Sequence, residues 1–395
     1  MKNKLMIVSS ILILSTSCSK NEEDNYQEIE TYPNVTEAFG NNINLTNLAN
    51  YANQLVPNYI VKNNSGSNTI TDKGATLGRV LFYDKNLSSN NTISCSSCHQ
   101  QANAFSDVAV SSQGVNGTTG RHSMRLVNNR FANETKFFWD ERAINLETQT
   151  TMPIKDHGEM GYSGLNGDES FSGLITKLSG IGYYKELFKF VYGSEEITES
   201  KMQMALAQFI KSIQSFDSKY DAGRALAAND GQPFTNFTAQ ENQGKNLFLS
   251  PPVFDSTGNR TSGGLGCAGC HAAPEFDIDP NSRNNGIIGT ISGVGIDITN
   301  TRAPSLRDLV KTDGTTNGPM MHTGVITTLQ AAIGHYGTIN LAPGNTNLDP
   351  RLRPNGFGQQ LNLTAPEVKA VIAFLRTLSG TNVYVDSKWS NPFLN

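Results

Sequence analysis

The stretch CSSCH, residues 95–99, and the stretch CAGCH, residues 267–271, decide the fold of this 395-residue chain. In each, two cysteines three positions apart can form thioethers to the two vinyl groups of one haem, and the histidine that follows can bind the iron as proximal ligand. Two disulfides, or one zinc ion held by four cysteines, are the alternatives, but neither explains why a histidine follows each pair at once. The spacing therefore predicts two covalently attached haem c groups, held by Cys95, Cys98, His99, Cys267, Cys270 and His271.

The segments before the two motifs repeat each other as well. TDKGATLGRVLFYD leads to the first motif and TAQENQGKNLFLSP leads to the second. Each begins at a threonine suited to cap a helix, Thr71 or Thr238, and each carries a Gly-basic-x-Leu-Phe block, at 78–82 and 244–248. An internal repeat of this kind predicts two related domains with one haem in each.

Helical periodicity dominates the remaining sequence. SKMQMALAQFIKSIQSF places six apolar residues on one helical face: Met202, Leu206, Phe209, Ile210, Ile213 and Phe216. TAPEVKAVIAFLRTLSG starts with a capping box at Thr364 and Glu367, is expected to end at Gly380, and should bury Val368, Val371, Ile372, Leu375 and Leu378. Stretches rich in Gly, Asn and Ser predict loops near 63–69, 111–120, 256–266 and 281–300.

These patterns predict a mainly α fold made of two cytochrome-c-like helical domains, each with one covalently bound c-type haem. We expect the N-terminal haem domain at 36–230 and the C-terminal haem domain at 231–395. A net charge of −4 argues against a nucleic-acid partner.

The first 35 residues are expected to direct and tether the protein rather than to fold with it. Residues 1–18 combine Lys2 and Lys4 with an apolar run and small residues ending at Cys18, which is typical of a secretory signal peptide of the lipoprotein type. Lipidation would also account for the odd cysteine of the five; cleavage elsewhere, leaving a free thiol, is the alternative. Residues 19–35 begin as a polar, acidic tether. The sequence thus predicts a cell-envelope protein, periplasmic or on the outer membrane, that a lipid alone holds to the membrane.

Beyond the haem motifs, four further stretches bear a family resemblance. LFYDKNLSSNNTISCSSCHQQANAFSD, FFWDERAINLETQ, PIKDHGEMG, and TRAPSLRDLV followed by MMHTGVITTLQAAIGHYG resemble the bacterial di-haem cytochrome c peroxidases and their relatives in the MauG family. The resemblance runs from Thr71 to Gly380. It implies a tryptophan between the haems at Trp139, and a glutamine and a glutamate over the open face of the first haem at Gln149 and Glu159. A carboxylate there can take a proton from the inner peroxide oxygen and deliver it to the departing one, while an amide holds the peroxide.

The loop before FWD departs from the family pattern. Many of these peroxidases carry a distal histidine there, but SSQGVNGTTG at 111–120 contains none, so the first haem is expected to be open without reductive activation. His122 is the nearest histidine; we expect an ordinary surface residue, with iron ligation as the alternative. It takes the place of an asparagine through which the family binds calcium between its domains, which leaves calcium an open expectation.

The sixth ligand of the second haem is also unusual. The family takes it from a methionine fourteen residues after a histidine, which here is His322, and that position holds Tyr336. MauG has a tyrosine there as well. His335 is one residue out of register, and Met320 and Met321 are the other competitors, as is the absence of a sixth ligand. A phenolate stabilises oxidised iron, whereas methionine raises the haem potential.

The resemblance implies a peroxidase that reduces hydrogen peroxide to water with electrons from a small c-type cytochrome or a cupredoxin. A MauG-like enzyme that uses peroxide to oxidise a partner protein is the first alternative, and Tyr336 favours it. A non-enzymatic di-haem electron carrier is the second, and the missing distal histidine together with Glu159 counts against it. A homodimer is an open expectation.

Overall fold

The computed structural model describes residues 31–394. The predicted signal peptide, Cys18 and the tether as far as residue 30 lie outside the described residues. Twelve α-helices run through the described part of the chain: α1 Pro33–Phe39, α2 Asp72–Tyr83, α3 Cys95–Cys98, α4 Leu146–Thr151, α5 Phe171–Ser179, α6 Gly182–Tyr192, α7 Glu199–Ser212, α8 Lys219–Arg224, α9 Ala239–Leu249, α10 Leu329–Gly337, α11 Ala365–Arg376 and α12 Asn382–Val385. The prediction of a mainly helical fold is confirmed.

Strands are few and short in the same residues. β1 Pro252–Phe254 pairs antiparallel with β2 Arg260–Gly263, and β3 His271–Ala272 pairs antiparallel with β4 Asp277–Ile278. The prediction of an unbroken loop at 256–266 is therefore wrong, because β2 lies within it. Among the described residues, no helix combines the length and apolar character that a membrane crossing needs.

The internal repeat reappears as two closely packed helix pairs. α2 packs on α7, and α9 packs on α11. A Cβ atom added to Gly78 would lie 2.0 Å from the Ala205 carbonyl oxygen, and one added to Gly244 would lie 1.9 Å from that of Ala370. Glycine at the start of each Gly-basic-x-Leu-Phe block therefore allows two helix backbones to touch in both halves.

Side chains cap these helices as the sequence predicts. The Thr71 hydroxyl accepts a hydrogen bond from the Gly74 amide at 3.0 Å. Capping boxes form at Thr238 with Glu241 and at Thr364 with Glu367.

The ends and faces of α7 and α11 differ in detail from the prediction. α7 ends at Ser212, so Phe216 lies beyond the helix rather than on its face. α11 ends at Arg376 rather than at Gly380. It buries Ala370 and Phe374 against α9, and the predicted Val368 and Ile372 are only half-buried.

Two apolar clusters form the interior of residues 32–394, which belong to one compact unit. The second cluster draws its buried side chains from Tyr220 to Leu378. The first draws its side chains from Val35 to Ile213 and from two later residues, Val383 and Trp389. The division of the chain at residue 230 stays a prediction.

Residues 388–390 connect to the first cluster through hydrogen bonds. The buried Arg79 donates to the Ser390 carbonyl at 2.7 Å, and the Tyr83 hydroxyl donates to the Trp389 carbonyl at 2.6 Å. The Trp389 indole nitrogen donates to the Ser212 hydroxyl at the end of α7. This late segment thus packs with the first cluster.

Candidate functional site

The first CxxCH motif forms a single helical turn. α3 contains Cys95 and Cys98, and Ser94 and Ser97 form a capping box at its start. The two thiols are not joined to each other, and burial raises the pKa of Cys95 to about 12. The thiols are therefore protonated and unpaired, as thioether formation requires.

His99 is oriented as a metal-binding histidine is oriented. Its Nδ1 lies 3.2 Å from the Phe105 carbonyl oxygen and donates to it in the tautomer that leaves Nε2 unprotonated. Burial lowers the pKa of His99, which keeps the ring neutral. A backbone carbonyl on one ring nitrogen and a free electron pair on the other is the usual state of an iron or zinc ligand.

The first cavity gathers five of the predicted site residues. Cys95, Cys98, His99, Gln149 and Glu159 all line it, and Phe82 of α2 with Leu206 and Ile210 of α7 provides apolar wall. Its volume is about 80 Å³, below the 300 Å³ or more that is usual for cofactor sites. The donor set of two thiols followed by a histidine fits a covalently attached haem.

Glu159 is the carboxyl group among the residues that line the first cavity. Burial raises the pKa of its carboxyl from 4.5 to about 7, and the nearby Asp156 carboxylate adds to the rise. Such a group can both accept and donate a proton near neutral pH.

The loop that lacks a distal histidine fixes the backbone around Glu159. The Val115 amide donates to the Glu159 carbonyl at 3.0 Å, and the Asn116 amide donates to the Gly158 carbonyl at 3.1 Å. Gln113 and Gly114 of the same loop line the first cavity. The loop, which contains no histidine, therefore borders the first cavity.

Gln149 reaches the first cavity from the last turn of α4. The Asn145 side chain caps this helix by accepting from the Thr148 amide at 2.8 Å. An ion pair between Glu147 and the buried Lys211 of α7, 2.5 Å long, holds α4 in place. Both the helix and its anchor thus position the Gln149 amide.

The second CxxCH motif opens on a larger cavity of about 740 Å³. Cys267, Cys270 and His271 line it together with Leu265, Leu309, Val371 and Leu375. Burial lowers the pKa of His271 to about 4, while the nearby Phe276 backbone acts in the opposite direction and raises that pKa. The His271 Nδ1 forms no hydrogen bond within normal geometry in the described chain. An apolar cavity of cofactor size around a neutral histidine and two free thiols fits a haem.

Three of the four candidates for the sixth ligand line the second cavity. Tyr336, Met320 and Met321 do so, whereas His335 does not. The His335 Nε2 donates to the backbone carbonyl of Asn285 at 2.9 Å, and its ring meets that of Tyr336 edge to face. Burial raises the pKa of the Tyr336 phenol, and a hydrogen bond from Asn285 opposes the rise.

Trp139 and His122 contact each other beside the second cavity. The Trp139 indole nitrogen donates to the His122 carbonyl at 2.7 Å, and the Trp139 carbonyl accepts from the Thr301 amide at 2.8 Å. Both residues line the second cavity, and Ser123, next along the chain, lines both cavities. The expectation of a surface histidine is wrong, because His122 is 4% exposed. His122 does not line the first cavity.

With this geometry in place, residues 72–229 match the family model for di-haem cytochrome c peroxidase. The chain is 27% identical over 323 residues to the methylamine utilization protein MauG of Methylophilus methylotrophus, which covers 80% of this chain and 84% of that protein. It is 28% identical over 320 residues to cytochrome c551 peroxidase of Nitrosomonas europaea, with 78% and 80% covered. In sequence, the chain thus resembles the di-haem cytochrome c peroxidases over residues 72–229, and it resembles both MauG and cytochrome c peroxidase over about 80% of its length.

A solved structure agrees with this assignment. A MauG-like protein associated with microbial copper homeostasis has a TM-score of 0.65 and 26% identity, and the match covers 86% of this chain and 99% of that one. These similarities support the expectation of a haem-containing c-type cytochrome among the peroxidase oxidoreductases. The named relatives include both MauG and cytochrome c peroxidases at nearly equal identity, so they do not distinguish between these two activities.

The calcium ion of the superfamily stays a prediction. Within residues 31–394 no group of three or more His, Cys, Asp or Glu side chains could hold a metal ion. Arg121, next to His122, instead donates to Asp140 at 2.6 Å and to Asp297 at 2.8 Å across the two halves.

Sequence reasoning missed Asn285 in the second cavity. Its side chain contacts two of the ligand candidates, Met321 and Tyr336. It stands 51 residues before Tyr336 in a stretch that reads as a loop, so no local pattern indicated it.

Proposed function

We propose that the protein reduces hydrogen peroxide to water with electrons from a small c-type cytochrome or a similar donor. The observation that carries the proposal is the first cavity, where Glu159, whose carboxyl titrates near neutral pH, shares one enclosed space with His99 and Gln149. Two covalent haem c groups, held at Cys95, Cys98 and His99 and at Cys267, Cys270 and His271, would complete the site. Bound haem would supply the redox chemistry that peroxide cleavage needs.

Glu159 is assigned the proton transfer. Its carboxylate takes the proton from the inner peroxide oxygen and, as the acid, gives it to the departing oxygen. Its pKa of about 7 suits both halves of this cycle, because neither form is strongly preferred at neutral pH. With two electrons and two protons, each peroxide gives two waters.

Gln149 and Trp139 are assigned orientation and electron relay. Gln149 offers an amide donor and acceptor to peroxide from the end of α4. Trp139 is buried against the second cavity and bonded to the segment that borders both cavities. We assign the N-terminal half to peroxide chemistry and the C-terminal half to electron transfer.

Replacing Glu159 with glutamine tests the proposal. E159Q should slow peroxide-dependent oxidation of a reduced c-type cytochrome by roughly 10²- to 10⁴-fold, since the proton transfer is lost while size and polarity are kept. The haem content should stay at two per chain. E169Q makes the same change at an exposed residue outside the cavity and should keep full activity. Equal rates in E159Q and E169Q would remove the assigned role of Glu159.

A MauG-like reaction is the second candidate, and the position of Tyr336 favours it. The phenol lines the second cavity where the peroxidases have methionine. A phenolate ligand would lower the potential of the second haem and suit the sharing of oxidising equivalents with a protein substrate. A protein with two haems that reacts with peroxide but does not oxidise any reduced cytochrome would favour this candidate.

The envelope location, with a lipid on Cys18 as the membrane anchor, forms part of the same proposal and rests on the sequence alone.

A further inference from the structure

The side-chain amide of Asn285 and its backbone carbonyl all form hydrogen bonds beside the second cavity. Its Oδ1 accepts a hydrogen bond from the Ile287 amide at 3.0 Å. Because a backbone amide can only donate, this contact fixes the oxygen and turns the side-chain nitrogen the other way. That nitrogen lies 3.2 Å from the Met321 sulfur and 3.4 Å from the Tyr336 hydroxyl oxygen.

The same residue also holds the neighbouring histidine. The Asn285 carbonyl accepts from the His335 Nε2 at 2.9 Å. The nitrogen with which His335 could reach a metal is therefore engaged, and the ring lies outside the cavity. Asn285 thus contacts three of the four side chains considered for the sixth position of the second iron.

The amide does not treat Met321 and Tyr336 alike. It has two N–H groups, so one can serve each acceptor. A thioether sulfur is a weak acceptor, whereas a phenolate oxygen is anionic and accepts charge-assisted hydrogen bonds that are about twice as strong as neutral ones. The amide therefore stabilises a metal-bound phenolate more than it stabilises a metal-bound thioether.

We propose that Asn285 is the positioning residue that selects Tyr336 over Met321 and His335 as the sixth ligand of the second haem. The inference rests on the proposed haem at His271. It adds a determinant of ligand choice that lies far from the ligands in sequence and acts through hydrogen bonds alone. In metal sites such outer contacts orient the ligands and tune their donor strength.

The test compares holoprotein variants by spectroscopy and redox titration. Asn285→Leu removes both N–H groups at similar volume, and Asn285→Asp keeps the shape and the Ile287 contact but cannot donate when ionised. Wild-type ferric protein should show tyrosinate vibrations by resonance Raman. Both variants should shift the balance from tyrosinate to thioether ligation by roughly tenfold, with a new near-infrared thioether-to-iron band and a higher potential of the second haem.

Two controls separate ligand choice from general damage. Asn281→Leu makes the same change at an exposed residue of the same loop and should leave the spectrum unchanged. Adding Met321→Leu to Asn285→Leu should abolish the new band, whereas adding Met320→Leu should not.

The possible results separate the role of Asn285 from the proposed peroxidase function on which it rests. Tyrosinate vibrations that persist in both Asn285 variants, or a wild-type protein already bound through sulfur, would overturn the role of Asn285 and leave the peroxidase proposal standing. A wild-type protein with one haem per chain would overturn the di-haem proposal, and this inference with it.

Discussion

Glu159 should make the folded protein less stable as the pH rises, and E159Q should remove that effect. An unfolded glutamate titrates near 4.5, whereas burial raises the folded pKa to about 7. Between these values the folded chain holds a proton that the unfolded chain has lost, so stability falls as the pH rises. Above pH 7 the carboxyl is ionised in both states, and the full penalty for burying its charge opposes folding.

The size of the effect follows from the same two values. A rise from 4.5 to about 7 corresponds to about 3 kcal/mol. Solvent reaches part of this half-buried side chain, which reduces the expected figure to roughly 2 kcal/mol. E159Q should therefore match wild type near pH 4.5 and exceed its free energy of unfolding by roughly 2 kcal/mol at pH 8.

Guanidinium unfolding of both holoproteins at pH 4.5 and pH 8 measures this difference. E169Q provides the baseline, since its carboxylate is exposed in the folded chain. If E159Q were no more stable than wild type at pH 8, the carboxyl would not be buried with a raised pKa. The reasoning that makes it a proton shuttle would then fail.

Three further outcomes follow from the packing and the loop. Arg307→Met should cost about 3–5 kcal/mol in denaturant unfolding, because it strands the buried carboxylate of Asp221 that Arg307 contacts at 2.9 Å; unchanged stability would contradict this. Gly244→Ala should reduce the free energy of unfolding by about 1–3 kcal/mol and lower the melting temperature, because the added Cβ would clash with the Ala370 carbonyl. Gly334→Ala adds its Cβ to open space and should not lower the melting temperature. The ferric protein as isolated should oxidise reduced cytochrome without pre-reduction, and a requirement for pre-reduction would mean that a distal ligand closes the first haem.

Local chemistry made much of the fold readable from the sequence. Threonine caps and the Gly-basic-x-Leu-Phe blocks depend on neighbours within a few positions, and the structure has helices at both repeats. The end of α7 was misplaced because the apolar period continues to Phe216 after the backbone has left the helix at Ser212. Apolar periodicity reports burial, and burial continues past a helix end.

The residues of the candidate site could be predicted only where the CxxCH motif or the family resemblance fixed their spacing in the sequence. Gln149 and Glu159 do line one cavity with the first haem motif. His122 was misjudged because its burial depends on segments distant in sequence, including His322, whose carbonyl accepts from the His122 amide at 2.8 Å. Asn285 could not be found for the same reason.

The late segment around Trp389 has a consequence for biogenesis. Ribosomes synthesise residues 383–390 after almost all of the chain, yet Ser390 provides two of the three acceptors of Arg79, and Val383 and Trp389 complete the first cluster. Until they arrive, the buried Arg79 guanidinium keeps only the Asn42 carbonyl as an acceptor, and an indole-sized gap stays open in the first cluster. The first cluster, whose other buried residues are made early, is therefore completed by the last residues of the chain. A nonsense mutation near codon 383 should destabilise the first haem site more than the second.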